Sequence, residues 1–327
     1  MVDFMKIEDV IYGTFEIKEP ILVTLINSKP LQRLKRIEQY GIPKELYSFP
    51  GFSRYDHSIG VMSLLRKLGA NLEEQVVGLL HDVSHTAFSH VIDWVIGNQA
   101  KEDYQDKNHK NVIYNSEIPK ILSSFGFDTA KVIDVEKYPL LEREAPDLCV
   151  DRVDYALREF HYWANPKIVK LCVDNLMVFN EELVFASKES AEAFGRNYLK
   201  CQTEHWGGVD AVLRYYLFSQ VLKTAIEKNI ISMGDFYKDD NYVMEKLRTS
   251  KNQQIKKLLE VLSGKLDFEF AKQNPQLSLK KKFRYVDPKF LENGTLYCLS
   301  EVDPNYKTFL EEQRKINEKG ISVNLLF

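Results

Sequence analysis

Residues 76–93 read VVGLLHDVSHTAFSHVID, and the two halves of the stretch ask for different surroundings. Val76, Val77, Leu79 and Leu80 form an apolar run of the kind that packs a helix into a core. His81 and Asp82 follow at once, then His85, His90 and Asp93. The chain has seven histidines, and three of them fall within residues 81–90. Asn71 is placed to cap the helix, with Glu74 at its third position to close a capping box. If the helix runs on, His81 and His85 lie one turn apart on one face, with Asp82 beside them. Imidazole and carboxylate at that spacing suit a divalent transition metal. A lone His-Asp pair serves as readily as a hydrogen-bonded structural pair, so the rest of the chain decides.

Upstream, Ser53 with Asp56 three residues on marks a helix start. That helix carries His57 in its first turn, then Ile59, Met62, Leu65 and Leu68 down one side, and Gly69 stops it. A helix hairpin would return His57 to His81. Residues 7–17 alternate around Gly13 and predict a short β-hairpin. Helices are expected over 19–27 and, from Pro30, over 31–40, ahead of an aromatic loop at 47–56.

Downstream, 98–115 is polar and predicts a loop that holds His109. Residues 146–160, PDLCVDRVDYALREF, follow. Val150, Val153 and Leu157 share a helical face, and Asp151, Asp154, Tyr155, Arg158 and Glu159 take the remaining surface, which a solvated face would explain for at least three. A hairpin is expected at 179–187 and helices at 189–201 and 207–228. Residues 246–284 hold eleven Lys or Arg against three acids, either a solvated face or a phosphate- or nucleic-acid-binding edge.

Length and composition set the frame. The 327 residues allow one large domain or two ordinary ones, and 44% hydrophobic with 28% charged residues is usual for a soluble globular protein. The net charge of −3 points to no particular partner. Four scattered cysteines with no C-x-x-C pair make neither a disulfide framework nor a zinc ribbon, and suggest a reducing cytoplasm. The acid-bearing N-terminus has no signal-peptide core, and no apolar run approaches the ~20 residues that span a bilayer.

With these residues assembled, the chain resembles the HD phosphohydrolase superfamily, whose metal ligands come as H…HD…D from separate helices. It is most similar to the deoxynucleoside triphosphate triphosphohydrolase branch, the dGTPase and sterile-alpha-motif–HD group. The branch's motifs appear in order: Gln39 before Gly41; Arg54, His57, Ser58 and Gly60; His81, Asp82, His85, Phe88, Ser89, His90 and Asp93; then Asp151, Asp154, Tyr155, Arg158 and Glu159. Arg196 and His205 align loosely with a later phosphate-binding segment. Ser84-His85-Thr86-Ala87 replaces the branch's Gly-His-Gly-Pro, His109-Lys110 its His-Glu, and Glu159 its Asp. These departures spare the metal set and bear on the substrate.

The resemblance implies a mainly α fold: an HD-domain helical core over 1–230 with small β-hairpins, and a helical C-terminal extension over 231–327 packed on it. It implies one divalent transition metal (Fe, Mn, Ni or Zn) on His57, His81, Asp82 and Asp151, with Mg accompanying the nucleotide. His85, His90, Asp93 and His109 are expected to do the chemistry, and His109 or His90 to protonate the leaving oxygen at a pKa near working pH. Gln39, Arg54, Tyr155, Arg158, Glu159, Arg196 and His205 are expected to bind substrate. The expected reaction yields nucleoside and tripolyphosphate, in a homo-oligomer. The alternatives are an HD-type nucleotide phosphomonoesterase or phosphodiesterase, and a non-catalytic nucleotide or nucleic-acid binder using the basic stretch.

Overall fold

The computed structural model describes residues 4–47 and 49–327; residues 1–3 of the acid-bearing N-terminus and Ser48 of the aromatic loop lie outside them. The chain opens on the expected hairpin, β1 (Met5–Asp9) against β2 (Gly13–Ile17). Two short helices, α1 (Pro20–Ile26) and α2 (Lys29–Arg33), each carry proline in the first turn. The helix expected to reach Tyr40 ends early, in a 3-10 turn at Leu34–Arg36. Outside partners take over there: the Glu38 N–H donates to Asp240 and the Gln39 N–H to the Phe52 carbonyl.

The region that carries His57 and His81 is a helix hairpin. Helix α3 (Arg54–Lys67) starts on the Ser53–Asp56 capping box and turns off at Gly69, whose φ of +83° suits glycine. Helix α4 (Leu72–Leu80) begins on Asn71, whose side chain accepts the Glu74 N–H, and packs against α3. Here the structure departs from the periodicity. The helix stops at His81, and 81–90 is a string of turns with Phe88 (φ 63°) and Ser89 (φ 47°) in the left-handed region. His81 and His85 therefore share no helix face. Non-glycine residues in that region cost of order 1–3 kcal/mol each and persist only where their surroundings hold them.

Next come α5 (Val91–Val95), α6 (Tyr104–Tyr114), α7 (Ile118–Ser124) and α8 (Thr129–Val132). The polar stretch expected to be a loop is thus largely helical. It reads as polar because α6 turns only His109 and Ile113 fully inward, one turn apart. Helix α9 (Val150–Tyr162) lies across α3, and its expected solvated face is not solvated: Asp154, Arg158 and Glu159 are all buried. Helix α10 (Lys167–Asn175) leads to the hairpin β3 (Leu176–Phe179) and β4 (Glu182–Phe185), turned by Asn180 and Glu181 at positive φ. Helix α11 (Lys188–Lys200) runs through a π-helical turn, Cys201–Trp206, into α12 (Val209–Glu227).

Beyond 231 lie α13 (Asp240–Thr249), α14 (Gln253–Ser263), β5 (Phe268–Phe270), β6 (Leu277–Leu279), β7 (Lys289–Glu292), β8 (Thr295–Cys298), α15 (Leu299–Val302), α16 (Pro304–Lys319) and β9 (Ile321–Leu325). This part therefore adds strands to its helices. Strand β7 pairs with β4 in a sheet ordered β3-β4-β7-β8, and β9 lies between β5 and β6. Four of the eleven basic residues in 246–284 are engaged within the fold. Lys246 pairs with Asp235 and Arg248 with Glu45, while Lys281 is buried over the Tyr215 ring and Arg284 pairs with Glu102.

Helices α3 and α9 meet at Gly60, where a Cβ would fall 2.1 Å from both Arg158 Nη2 and Asp154 Oδ1. Gly60→Ala is therefore expected to cost about 2–4 kcal/mol in urea unfolding. Gly69→Ala, at positive φ but with open space around it, is expected to cost only about 1 kcal/mol. Equal losses would mean that the helix crossing is looser than described.

Candidate metal centre and active site

Three helices deliver the centre. His57 sits in the first turn of α3, His81 at the end of α4, and Asp151 in the first turn of α9. Their donor atoms all lie within 4.8 Å of one another. His57 Nε2 is 2.8 Å and His81 Nε2 3.4 Å from the same Asp151 oxygen, and the two ring nitrogens are 3.3 Å apart. Asp82 stands beside them, its oxygens 3.5 Å from His81 Nε2 and 3.8 Å from His57 Nε2.

The outer nitrogens say what the inner ones can do. His81 Nδ1 lies 2.7 Å from the Gly78 carbonyl, which only accepts, so Nδ1 carries the proton and Nε2 a lone pair. His57 Nδ1 lies 2.7 Å from Asp154, so its outer nitrogen too faces an acceptor. The two inner nitrogens then face each other beside two carboxylates, an arrangement that favours a cation between them. In its absence a proton serves: burial opposes charge on His81, but Asp82 and Asp151 hold its pKa up at about 9. Four N and O donors with room for further ligands fit a divalent transition metal. Glu142 and Cys149 approach Asp151 from another side. Burial and Glu142 push the Cys149 thiol up to about 12.

Around the centre lie the other histidines. His85 Nε2 is 3.2 Å from Asp82 Oδ1, and its ring stands edge-on to His90 at 5.0 Å. His109 reaches in from α6, with Nδ1 3.3 Å from Ser84 Oγ and a buried Nε2 that has no partner. Burial and Arg54 push His85 down to about 4, and burial with His81 does the same to His109. Burial and His85 depress His90 as well. His109 and His90, expected as proton donors on the strength of their unperturbed pKa, are thus shifted with His85 toward the neutral form, in which each ring offers one N–H. Asp93 Oδ2 is 3.6 Å from His90 Nδ1, too far for a hydrogen bond.

Arg54 is spent on the scaffold. It donates to Asp82 (2.8 Å), to Ser89 Oγ (3.0 Å) and to the Gln39 carbonyl (3.4 Å). Tyr155, one turn beyond Asp151, has its ring 6.3 Å from His57, edge-on to Trp206, with its hydroxyl bonded to that of Tyr198. Glu159, a further turn along, is buried 3.4 Å from His205, which stacks between Tyr40 and Trp163. Gln39 Oε1, Glu159 Oε2 and His205 Nε2 are buried and, among the described residues, make no hydrogen bond of good geometry.

Two expected substrate ligands stand elsewhere. Arg158 is 1% exposed and committed to Asp154 and Asp9, which locks the hairpin onto α9. Arg196 pairs with Glu192 and Asp303 and lies over the Tyr306 ring, away from the centre. The roles of Asp154, Ser84 and Tyr198 had no signal of their own in the sequence. Asp154 was legible as a member of the branch's last motif, but not as the partner of His57 Nδ1.

Comparison with known proteins agrees with this geometry. The HD domain family model matches residues 54–159, which hold all four candidate ligands. The uncharacterized protein YdhJ of Bacillus subtilis is 37% identical, over 98% of this chain and 99% of its own. The metal-dependent phosphohydrolase cns2 of Cordyceps militaris is 31% identical, over 88% of this chain and 85% of its own. A deoxynucleoside triphosphate triphosphohydrolase, the SAMHD1 homolog of Dictyostelium discoideum, is 24% identical, over 79% of this chain and 57% of its own. By family model, full-length relatives and donor geometry alike, the chain belongs to the HD-domain superfamily of metal-dependent phosphohydrolases.

Proposed function

We propose that this phosphohydrolase cleaves deoxynucleoside triphosphates at the α-phosphate, giving deoxynucleoside and tripolyphosphate. The observation that carries the reading is the order of groups along α9. Asp151 lies at the metal centre, Tyr155 one turn on, and Glu159 two turns on, about 12 Å away by helical rise. That spacing fits phosphate, sugar and the far side of a nucleoside in sequence. The name of the Dictyostelium relative supports the same substrate class.

His57, His81, Asp82 and Asp151 would hold the metal. When bound, it supplies a Lewis acid for the phosphate and acidifies water. The chain's own groups do the rest. Arg54 holds the Asp82 carboxylate in place. His85, His90 and His109 turn neutral N–H groups toward the phosphate oxygens, and a polyanion arriving among them favours their protonation. His109, whose Nε2 has no protein partner, is the group best placed to pass a proton to the leaving oxygen. The fixed Tyr155 ring excludes a ribose 2′-hydroxyl. Gln39, Glu159 and His205 gain from the nucleoside the hydrogen bonds that the protein does not give them. Mg accompanies the polyphosphate. The setting is a homo-oligomer in a reducing cytosol.

The test is product analysis after incubating metal-loaded protein with nucleoside mono-, di- and triphosphates in deoxy and ribo forms. Tripolyphosphate and deoxynucleoside are expected, with a preference for dGTP over GTP of roughly 10²-fold, the usual reach of exclusion by shape. Orthophosphate from monophosphates alone would make the protein a nucleotide phosphomonoesterase instead.

A second test separates chemistry from metal binding. His109→Ala and His85→Ala are expected to keep the metal and to lose about 10²–10⁴-fold in kcat/KM. Wild-type turnover in either variant would remove that histidine from the reaction.

A further inference from the structure

The backbone from 82 to 89 is buried, yet it is neither helix nor strand. Buried N–H and C=O groups need partners, and this segment supplies only some of its own: the His85 N–H donates to the Asp82 carbonyl (3.0 Å) and the Ser89 N–H to that of Thr86 (3.0 Å). Part of the answer comes from Arg33 on α2. Its Nη2 donates to the carbonyls of Val83 (2.9 Å) and His85 (2.7 Å), and its Nη1 to that of Lys238 (2.9 Å). The rest comes from the chain beyond 231. The Ala87 N–H donates to the Phe236 carbonyl at 2.7 Å. The Phe88 N–H donates to Asp240 Oδ1 at 2.7 Å, while Asp240 Oδ2 accepts the Glu38 N–H at 2.9 Å.

One buried carboxylate, 6% exposed, thus bridges two segments that border the site. One is the turn joining His85 to His90. The other leads into Gln39. The same two segments meet again at Ser89, whose hydroxyl donates to the Glu38 carbonyl (2.7 Å) and accepts from Arg54 Nε (3.0 Å). Arg54 in turn holds Asp82. Asp240 touches none of the candidate metal ligands.

We propose that Asp240 is a positioning residue of the active site, whose carboxylate clamps the Phe88 turn to the Glu38 segment and so aims His85, His90 and Arg54. The proposal rests on the phosphohydrolase reading of that site. It makes the C-terminal stretch a working part of the catalytic loop.

Asp240→Asn keeps the shape and one acceptor but turns an amide toward the other N–H. Asp239→Asn is the control, since Asp239 pairs with Arg36 and caps α13 through the Tyr242 N–H without touching the loop. Metal content, thermal stability, kcat and KM on the nucleotide that the wild type turns over fastest, and hydrogen exchange by mass spectrometry are read on the full chain. In Asp240→Asn we expect unchanged metal and a kcat at least about tenfold lower, since small misplacements of reacting groups are costly. Exchange should quicken at least about tenfold over 83–90 and 37–41 and stay at the wild-type rate in α11 and α12. Asp239→Asn is expected to lose stability and keep kcat within about twofold. If Asp240→Asn folds poorly, Arg33→Gln tests the carbonyl side of the same clamp with the same pattern expected.

Wild-type kcat and loop exchange in Asp240→Asn would overturn the proposal. So would a loss of kcat that Asp239→Asn matches at equal loss of stability. If the wild type turns over no nucleotide, the proposed function fails, while the exchange pattern still decides the clamp.

Discussion

Two imidazole nitrogens held 3.3 Å apart over one carboxylate oxygen are the constraint on which this structure depends. Both point inward, because the Gly78 carbonyl and Asp154 engage the outer nitrogens of the two rings. Such an arrangement is unfavourable until a cation fills it, and the fold is shaped to maintain it. The α3–α4 hairpin sets the two histidines against each other. Helix α9 brings Asp151, and the absence of a side chain at Gly60 lets Asp154 approach. Arg158 then ties Asp154 to Asp9, so the N-terminal hairpin also serves the centre.

Burial divides the surrounding groups by charge. The carboxylates nearest the centre stay ionised: against burial, the Arg54 guanidinium above all holds Asp82 well below its usual range. The three outlying histidines are kept neutral. On the proposed function, a polyanionic ester would meet N–H groups there whose proton affinity rises as it binds. The aromatic stack of Tyr40, His205 and Trp163, with Glu159 beside it, forms the far wall, where polar atoms remain without protein partners.

Much of this was legible from spacing. The caps at Ser53 and Asn71, the stop at Gly69 and the hairpin at Asn180 are local chemistry, and local chemistry decided them. The set of four candidate ligands came from the resemblance to the HD superfamily, whose H…HD…D order His57, His81, Asp82 and Asp151 follow; spacing alone marked only the cluster of histidines at 81–90. What spacing misjudged is tertiary. The His81–His90 segment has helical composition, but Arg33 and Asp240 reward a turn instead. Helix α6 looked like a loop because only two of its positions face fully inward. Arg158 and Arg196 looked like phosphate ligands because a sequence shows the charge of an arginine and not the carboxylate that consumes it.

The most direct measurement is elemental analysis of the purified wild type beside Asp82→Ala, with metal added back to both under the same conditions. The account predicts one transition metal per chain in the wild type and its loss in the variant, with the fold intact by circular dichroism. Full occupancy in Asp82→Ala, or a wild type that takes up no metal, would contradict it.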